Sequence, residues 1–275
     1  MKRLFALLIL ALLAGCATGP YIDRTYTAVS QDSRAQFLIL HYTALDFPTS
    51  LKVLAEGGVS SHYLVRDNPP TIYQLVDDNR RAFQAGASSW KGQTQLNAAS
   101  IGIEIVNLGY QNTPQGRVYF DFPPAQIDAV IALVKKIVAE HGIKPERVLG
   151  HSDIAPQRKP DPGPRFPWKR FADEGLIVWP DAALVAQKKP VYEQELPDTD
   201  WFQQKLAMVG YAVPLNSQFD EQTVKVIAAF QMKYRPALFD GMPDAETAAM
   251  LDVLTTPPVN AAGPVPSPPN MRNGQ

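Results

Sequence analysis

The chain has 275 residues, 45 % hydrophobic and 19 % charged, with a formal net charge of −1. That length holds one large domain with a smaller companion, and the near-neutral balance without a basic block argues against nucleic acid as a partner. The single cysteine, Cys16, excludes a disulfide framework and a thiolate metal site.

The N-terminus reads MKRLFALLILALLAGC. Lys2 and Arg3 form a positive segment, and Leu4 to Ala14 is uninterruptedly apolar. This run is shorter than the roughly 20 residues that span a bilayer, so it reads as the core of a secretory signal. Leu13-Ala14-Gly15-Cys16 matches a bacterial lipobox, in which the cysteine is acylated and becomes the new N-terminus. Residues 1–15 are then a lipoprotein signal peptide and 16–29 a tether. Ala17, rather than an aspartate, after the cysteine implies an outer-membrane lipoprotein facing the periplasm.

Alternating strand and helix signals follow, which is an α/β pattern. Gln36–Thr43 is a β-branched and aromatic run expected of a strand buried on both faces. Ser61–Val65 and Thr71–Val76 flank Arg66-Asp-Asn-Pro-Pro70 and read as a hairpin. Ser100–Val106 is another strand. Over 124–141, Ile127, Val130, Ile131, Val134, Ile137 and Val138 recur at the helical period, opened by Pro123-Pro124 and stopped by Gly142. Arg147–Gly150 reads as a short strand that delivers the loop 150–163, GHSDIAPQRKPDPG. Scattered prolines and charges over 181–197 read as a linker between a domain over 30–180 and a small three-helix domain over 198–254. The Pro-rich stretch 255–275 reads as a disordered tail.

Four histidines allow each to be weighed. His41 lies within the first strand, in register with Phe37 and Ile39, and His151 opens the loop. With Asp161 they can converge on one cation, two imidazoles and a carboxylate leaving a position open for water as in catalytic zinc sites. They can also be hydrogen-bonded core residues, the reading that spacing alone favours because the three are not local in sequence. His62 suits a structural or substrate-lining role, and His141, in the last turn of the long helix, answers the helix dipole. Glu104 sits mid-strand in Ile101-Gly-Ile-Glu-Ile-Val106, on the face opposite the isoleucines. A carboxyl there is either a raised-pKa general base or the partner of a buried arginine or lysine. Gly102 beside it leaves room for substrate or water. Gly150-His-Ser-Asp-Ile154 lacks the second glycine of a nucleophile elbow, and no dinucleotide or Walker-type glycine motif is present.

Taken together, Leu40-His41, Val59-Ser-Ser-His-Tyr-Leu-Val65, Leu96-Asn-Ala-Ala-Ser-Ile-Gly-Ile-Glu104 and the loop 150–163 resemble the zinc-dependent N-acetylmuramoyl-L-alanine amidases of the AmpD/AmiD type. The resemblance covers residues 30–180 and implies a mixed β-sheet flanked by helices. It implies zinc held by His41, His151 and Asp161, Glu104 as general base, and Lys159 stabilising the oxyanion. Trp201–Tyr211, Phe219–Val224, Ala229–Met232 and Phe239–Thr247 resemble a three-helix peptidoglycan-binding module, and with the acylated Cys16 the chain is similar to lipoprotein members of the family. The implied reaction is hydrolysis of the amide joining the lactyl group of N-acetylmuramic acid to L-alanine of the stem peptide. The implied partners are peptidoglycan and muropeptides, met by a monomer tethered to the outer membrane. Arg66 and Arg158 are candidates for the stem-peptide carboxylates, or plain solvated side chains. Phe83-Gln-Ala-Gly86 departs from the family's Trp-His-Ala-Gly, which puts substrate contacts rather than the metal in question. Ser152 and Asp153 are expected only to form turns, and the loop's prolines to keep it from becoming helical. A non-catalytic lipoprotein tethering outer membrane to wall, and a zinc peptidase cutting within the stem peptide, are the alternatives. The filled ligand and catalytic positions speak against the first.

Overall fold

The computed structural model describes residues 20–256. The signal peptide expected over 1–15, the lipidation expected at Cys16 and residues 257–275 of the Pro-rich tail lie outside them. Residues 20–32 belong to a unit of their own and carry neither helix nor strand.

From Ser33 onward the strands are β1 (Phe37–Tyr42), β2 (Tyr63–Val65), β3 (Ile72–Gln74), β4 (Ser89–Trp90), β5 (Gln93–Thr94), β6 (Ser100–Ile105), β7 (Tyr110–Thr113), β8 (Gly116–Tyr119) and β9 (Val148–Gly150). The central sheet has the order β3-β2-β6-β1-β9, parallel except for the edge strand β3, which pairs antiparallel with β2. β4–β5 and β7–β8 form separate two-stranded ribbons.

Strand alternation divides the sheet's two faces. Leu38, Leu40 and Tyr42 share one face with Ile101, Ile103 and Ile105, and the helix Pro124–His141 lays Ile127, Val130, Ile131, Val134 and Ile137 across it. That helix starts on Pro124 and ends where Gly142 turns left-handed at φ 65°, as its sequence signals require. Phe37, Ile39 and Leu149 face the other way. They pack with Ile154 and with Phe202, Leu206, Val226, Ile227, Phe230 and Leu251 of the C-terminal helices, so both parts of the chain share one core.

The three helices expected over 198–254 are Thr199–Val209, Glu221–Tyr234 and Ala245–Thr255. Asp198, Asp220 and Asp244 cap them, each accepting from a backbone N–H of the first turn. Two expectations change. The stretch 181–197 contains a helix, Ala182–Gln194, with Asp181 as its cap and Pro190 inside it. Only Val185 of that helix is buried, so no apolar stripe announced it. Polar ties hold it to the last helix instead, Lys188 Nζ and Tyr192 Oη lying 2.7 and 2.9 Å from Asp252 Oδ2. The loop after β9 also begins with one helical turn, His151–Ile154, before its prolines. The helix Phe47–Glu56, capped by Asp46, was not signalled by the patterns above.

Candidate metal centre and active site

His41 and Glu104 are direct neighbours in the β1–β6 register, and Gly150 pairs with Leu40, which places His151 just past the end of β9. The three side chains therefore gather at the carboxyl ends of adjacent parallel strands, where open α/β sheets form their crevices. The loop after β9 returns Asp161 to the same point. His41 Nδ1 and His151 Nδ1 are 2.9 Å apart, and Asp161 Oδ2 is 3.1 and 3.0 Å from them. All three residues are buried.

The neighbours orient both imidazoles. Gln84 Nε2 donates to Ser100 Oγ at 2.7 Å, and that hydroxyl donates to Leu96 O at 2.6 Å. Gln84 thus turns its carbonyl oxygen to His41, whose Nε2–H donates to it at 2.5 Å. His151 Nε2 lies 3.3 Å from the carbonyl of Ala85. Arg158 Nη2 stands at the same 3.3 Å from that nitrogen, so the tautomer that is fixed is that of His41, whose Nδ1 lone pair is left for the shared point. Burial opposes charge on His151, and although Asp161 works against this, the imidazole is held down at about 4. Burial opposes charge on Asp161 too, but His151 and His41 outweigh it and keep this carboxyl well below its ordinary range. On His41, burial is outweighed by the charges of Glu104 and Asp161, which raise it. Two imidazole nitrogens and one carboxylate oxygen this close are a donor set that zinc fits.

The set borders a cavity of about 370 Å³ whose wall includes Tyr42, Gln84, Glu104, His151, Lys159 and Asp161. Burial pushes the Glu104 carboxyl up to about 7, with His41 and Lys159 pulling down and Asp161 pushing up. Its Oε2 is buried and finds no donor among the described residues, which removes the alternative of a structural ion pair. Lys159 lines the same cavity.

Other expected residues fall differently. Gly102 does not make room for substrate: a Cβ there would meet the Gln84 side chain at 2.6 Å and Ser61 Oγ at 2.9 Å. That vacancy lets Gln84 reach His41, so the departure at Gln84 bears on the metal site, contrary to expectation. The Arg66 guanidinium lies over the Phe47 ring and is not part of the cavity wall. Arg158 borders the cavity but donates to the carbonyls of Ala85 and Ala87, bracing the segment that carries Gln84. His62 is structural, its Nδ1 accepting from Gly102 N–H at 3.0 Å and its Nε2 lying 3.0 Å from Arg80 O. His141 sits between Ser33 Oγ and Asp78 Oδ2 at 2.7 and 3.2 Å. Asp153 is no plain turn former. It is fully buried and bonded to Lys233 and Tyr211 of the C-terminal helices, contacts that no local pattern announces.

Comparison with known proteins agrees with this geometry. Residues 31–164 match the family described as N-acetylmuramoyl-L-alanine amidase, and 195–251 the one described as putative peptidoglycan binding domain. The chain is 44 % identical over 276 residues to N-acetylmuramoyl-L-alanine amidase AmiD of Escherichia coli (strain K12), covering 92 % of this chain and 98 % of that one. It is 32 % identical to the 1,6-anhydro-N-acetylmuramyl-L-alanine amidase AmpD of Enterobacter cloacae over 56 % of this chain and 70 % of the relative. Among solved structures, E. coli AmiD in complex with the substrate anhydro-N-acetylmuramic acid-L-Ala-D-gamma-Glu-L-Lys matches with a TM-score of 0.78 at 43 % identity, over 86 % of this chain and 94 % of that one. AmpDh3 of Pseudomonas aeruginosa matches with a TM-score of 0.79 at 37 % identity, over 86 % and 98 %. With the likeness extending over nearly the whole of both chains, the protein belongs to the N-acetylmuramoyl-L-alanine amidase family.

Proposed function

We propose that the protein is a zinc-dependent hydrolase of the amide between the lactyl group of N-acetylmuramic acid and L-alanine of the stem peptide, in peptidoglycan and its fragments. The observation that carries this reading is the convergence of His41, His151 and Asp161 beside a carboxyl, Glu104, one oxygen of which is unpartnered among the described residues. His41, His151 and Asp161 would hold the ion, which when bound supplies Lewis acidity and lowers the pKa of a water. Glu104, poised at about 7, takes the proton of the attacking water and returns it to the leaving amine of L-alanine. Lys159 offers its ammonium to the oxyanion that develops on the carbonyl, a contact of a kind worth about 2.7–4 kcal/mol of barrier. Gln84 holds the His41 ring, and Arg158 holds the backbone beneath Gln84.

The rest of the reading rests on sequence. An acylated Cys16 anchors a monomer to the outer membrane on its periplasmic side, and the helices from Thr199 onward bring it to the wall.

The test is incubation of residues 17–275 with purified sacculi, with and without zinc, and mass spectrometry of the soluble products. Free stem peptides beginning with L-alanine are expected, lost on chelation and in Glu104→Ala. Lys159→Ala is expected to keep its zinc and turn over at least about a hundredfold more slowly. Protein that pellets with the sacculi and releases nothing would overturn the reading in favour of a non-catalytic tether.

A further inference from the structure

The C-terminal helices meet the metal-bearing loop through a buried polar contact. Asp153 lies two residues after His151, and its Oδ2 accepts the Gly150 N–H at 2.8 Å, closing the turn that presents His151. The same oxygen lies 2.6 Å from Lys233 Nζ, and Oδ1 accepts the Tyr211 hydroxyl at 2.7 Å. Lys233 and Tyr211 belong to the module, Asp153 to the amidase part, and both ends of the ion pair are almost wholly buried. The Lys233 ammonium also stands 4.5 Å from the Trp168 ring centroid, and Trp168 backs the spot where Gly150 lacks a side chain. Ser152 N–H donates to Asp161 O at 2.8 Å, so the same turn is tied to the third candidate ligand.

We propose that Lys233 is a positioning residue for the metal centre, acting through Asp153 to fix the turn that carries His151. The inference rests on the zinc site proposed above and adds to it a role for the C-terminal module within the catalytic apparatus. The physical argument is that a buried carboxylate stays in place only while its charge is matched. Without the ammonium, the Asp153 carboxylate leaves the Gly150 N–H to seek water, and His151 moves with the turn. Residues that orient a metal ligand in this way typically change metal affinity by about 10–100-fold.

The test uses the metal-stripped chain from residue 17 onward, titrated with zinc by calorimetry under chelator competition, beside kcat and KM on a muropeptide. Lys233→Met is expected to bind zinc about 10–100-fold more weakly and to lose kcat with KM unchanged. The double variant Lys233→Met, Asp153→Asn is expected to recover most of the affinity, because the amide still accepts from Gly150 without stranding a charge. If Lys233→Met does not fold, Tyr211→Phe takes its place, and a loss of about threefold or more in zinc affinity is expected. Zinc affinity unchanged in the folded variant, with only a lower melting temperature, would overturn the proposal by reducing the pair to a docking contact. A parent chain that binds no zinc would instead sink the metal-site reading, and this inference with it.

Discussion

The carboxyl of Glu104 is caught between a pocket that prefers it neutral and a reaction that needs it charged. Its folded-state value of about 7 lies above the roughly 4.3 of a free glutamate. The burial cost is therefore fully present above about 7, shrinks as pH falls, and is gone below about 4.3. Metal-stripped Glu104→Gln is accordingly expected to melt a few degrees above the parent at pH 8 and level with it at pH 4. Melting curves followed by circular dichroism check this, and an equal gain at both pH values would show that the effect is not ionisation. Gln84 carries the second residue-scale prediction. Gln84→Leu leaves His41 Nε2–H buried without an acceptor, and zinc affinity is expected to fall about 10–100-fold, read by competition with a chelating dye. The reach of sequence reading also differs residue by residue. His41, His151 and Asp161 were legible as candidates, yet 110 and 120 positions separate His41 from the other two, and only the parallel β1–β9 pairing and the return of the loop after β9 join them. Gln84, Asp153 and Lys233 were not legible in these roles, because each acts on a neighbour that is remote in the chain.

At the scale of elements, periodicity was a good guide wherever a segment buries one clear stripe. The helix Pro124–His141 and the strands β1, β2, β3, β6 and β9 fall where their patterns place them. Periodicity was silent where polar contacts hold the segment, as in Ala182–Gln194, or where a strand is only two residues long, as in β4 and β5. The long helix offers a direct measure of what the stripe is worth. Ile127 is 1 % exposed and sits against the sheet's isoleucine face, so Ile127→Ala is expected to cost about 2–5 kcal/mol in denaturant unfolding. A cost below 1 kcal/mol would mean that the face repacks around the lost volume.

The whole molecule behaves as its shared core dictates. Phe37, Ile39 and Leu149 of the sheet are covered by Phe202, Leu206 and Phe230 of the C-terminal helices, and Trp90 fills the space that Gly210 leaves by having no side chain. A single calorimetric transition is expected for residues 17–275, with calorimetric and van't Hoff enthalpies in agreement. Two separated transitions would show that the parts unfold independently. The buried Lys233–Asp153 pair has a consequence for how such a chain can change over time. Two stretches that read as separate family matches, 31–164 and 195–251, cannot be traded freely with other proteins. A replacement wall-binding module would have to bring its own lysine and tyrosine to the back of a turn it has never met. The recombination that sequence makes look easy is thus closed off by a carboxylate that, among the described residues, is paired with no cation but Lys233.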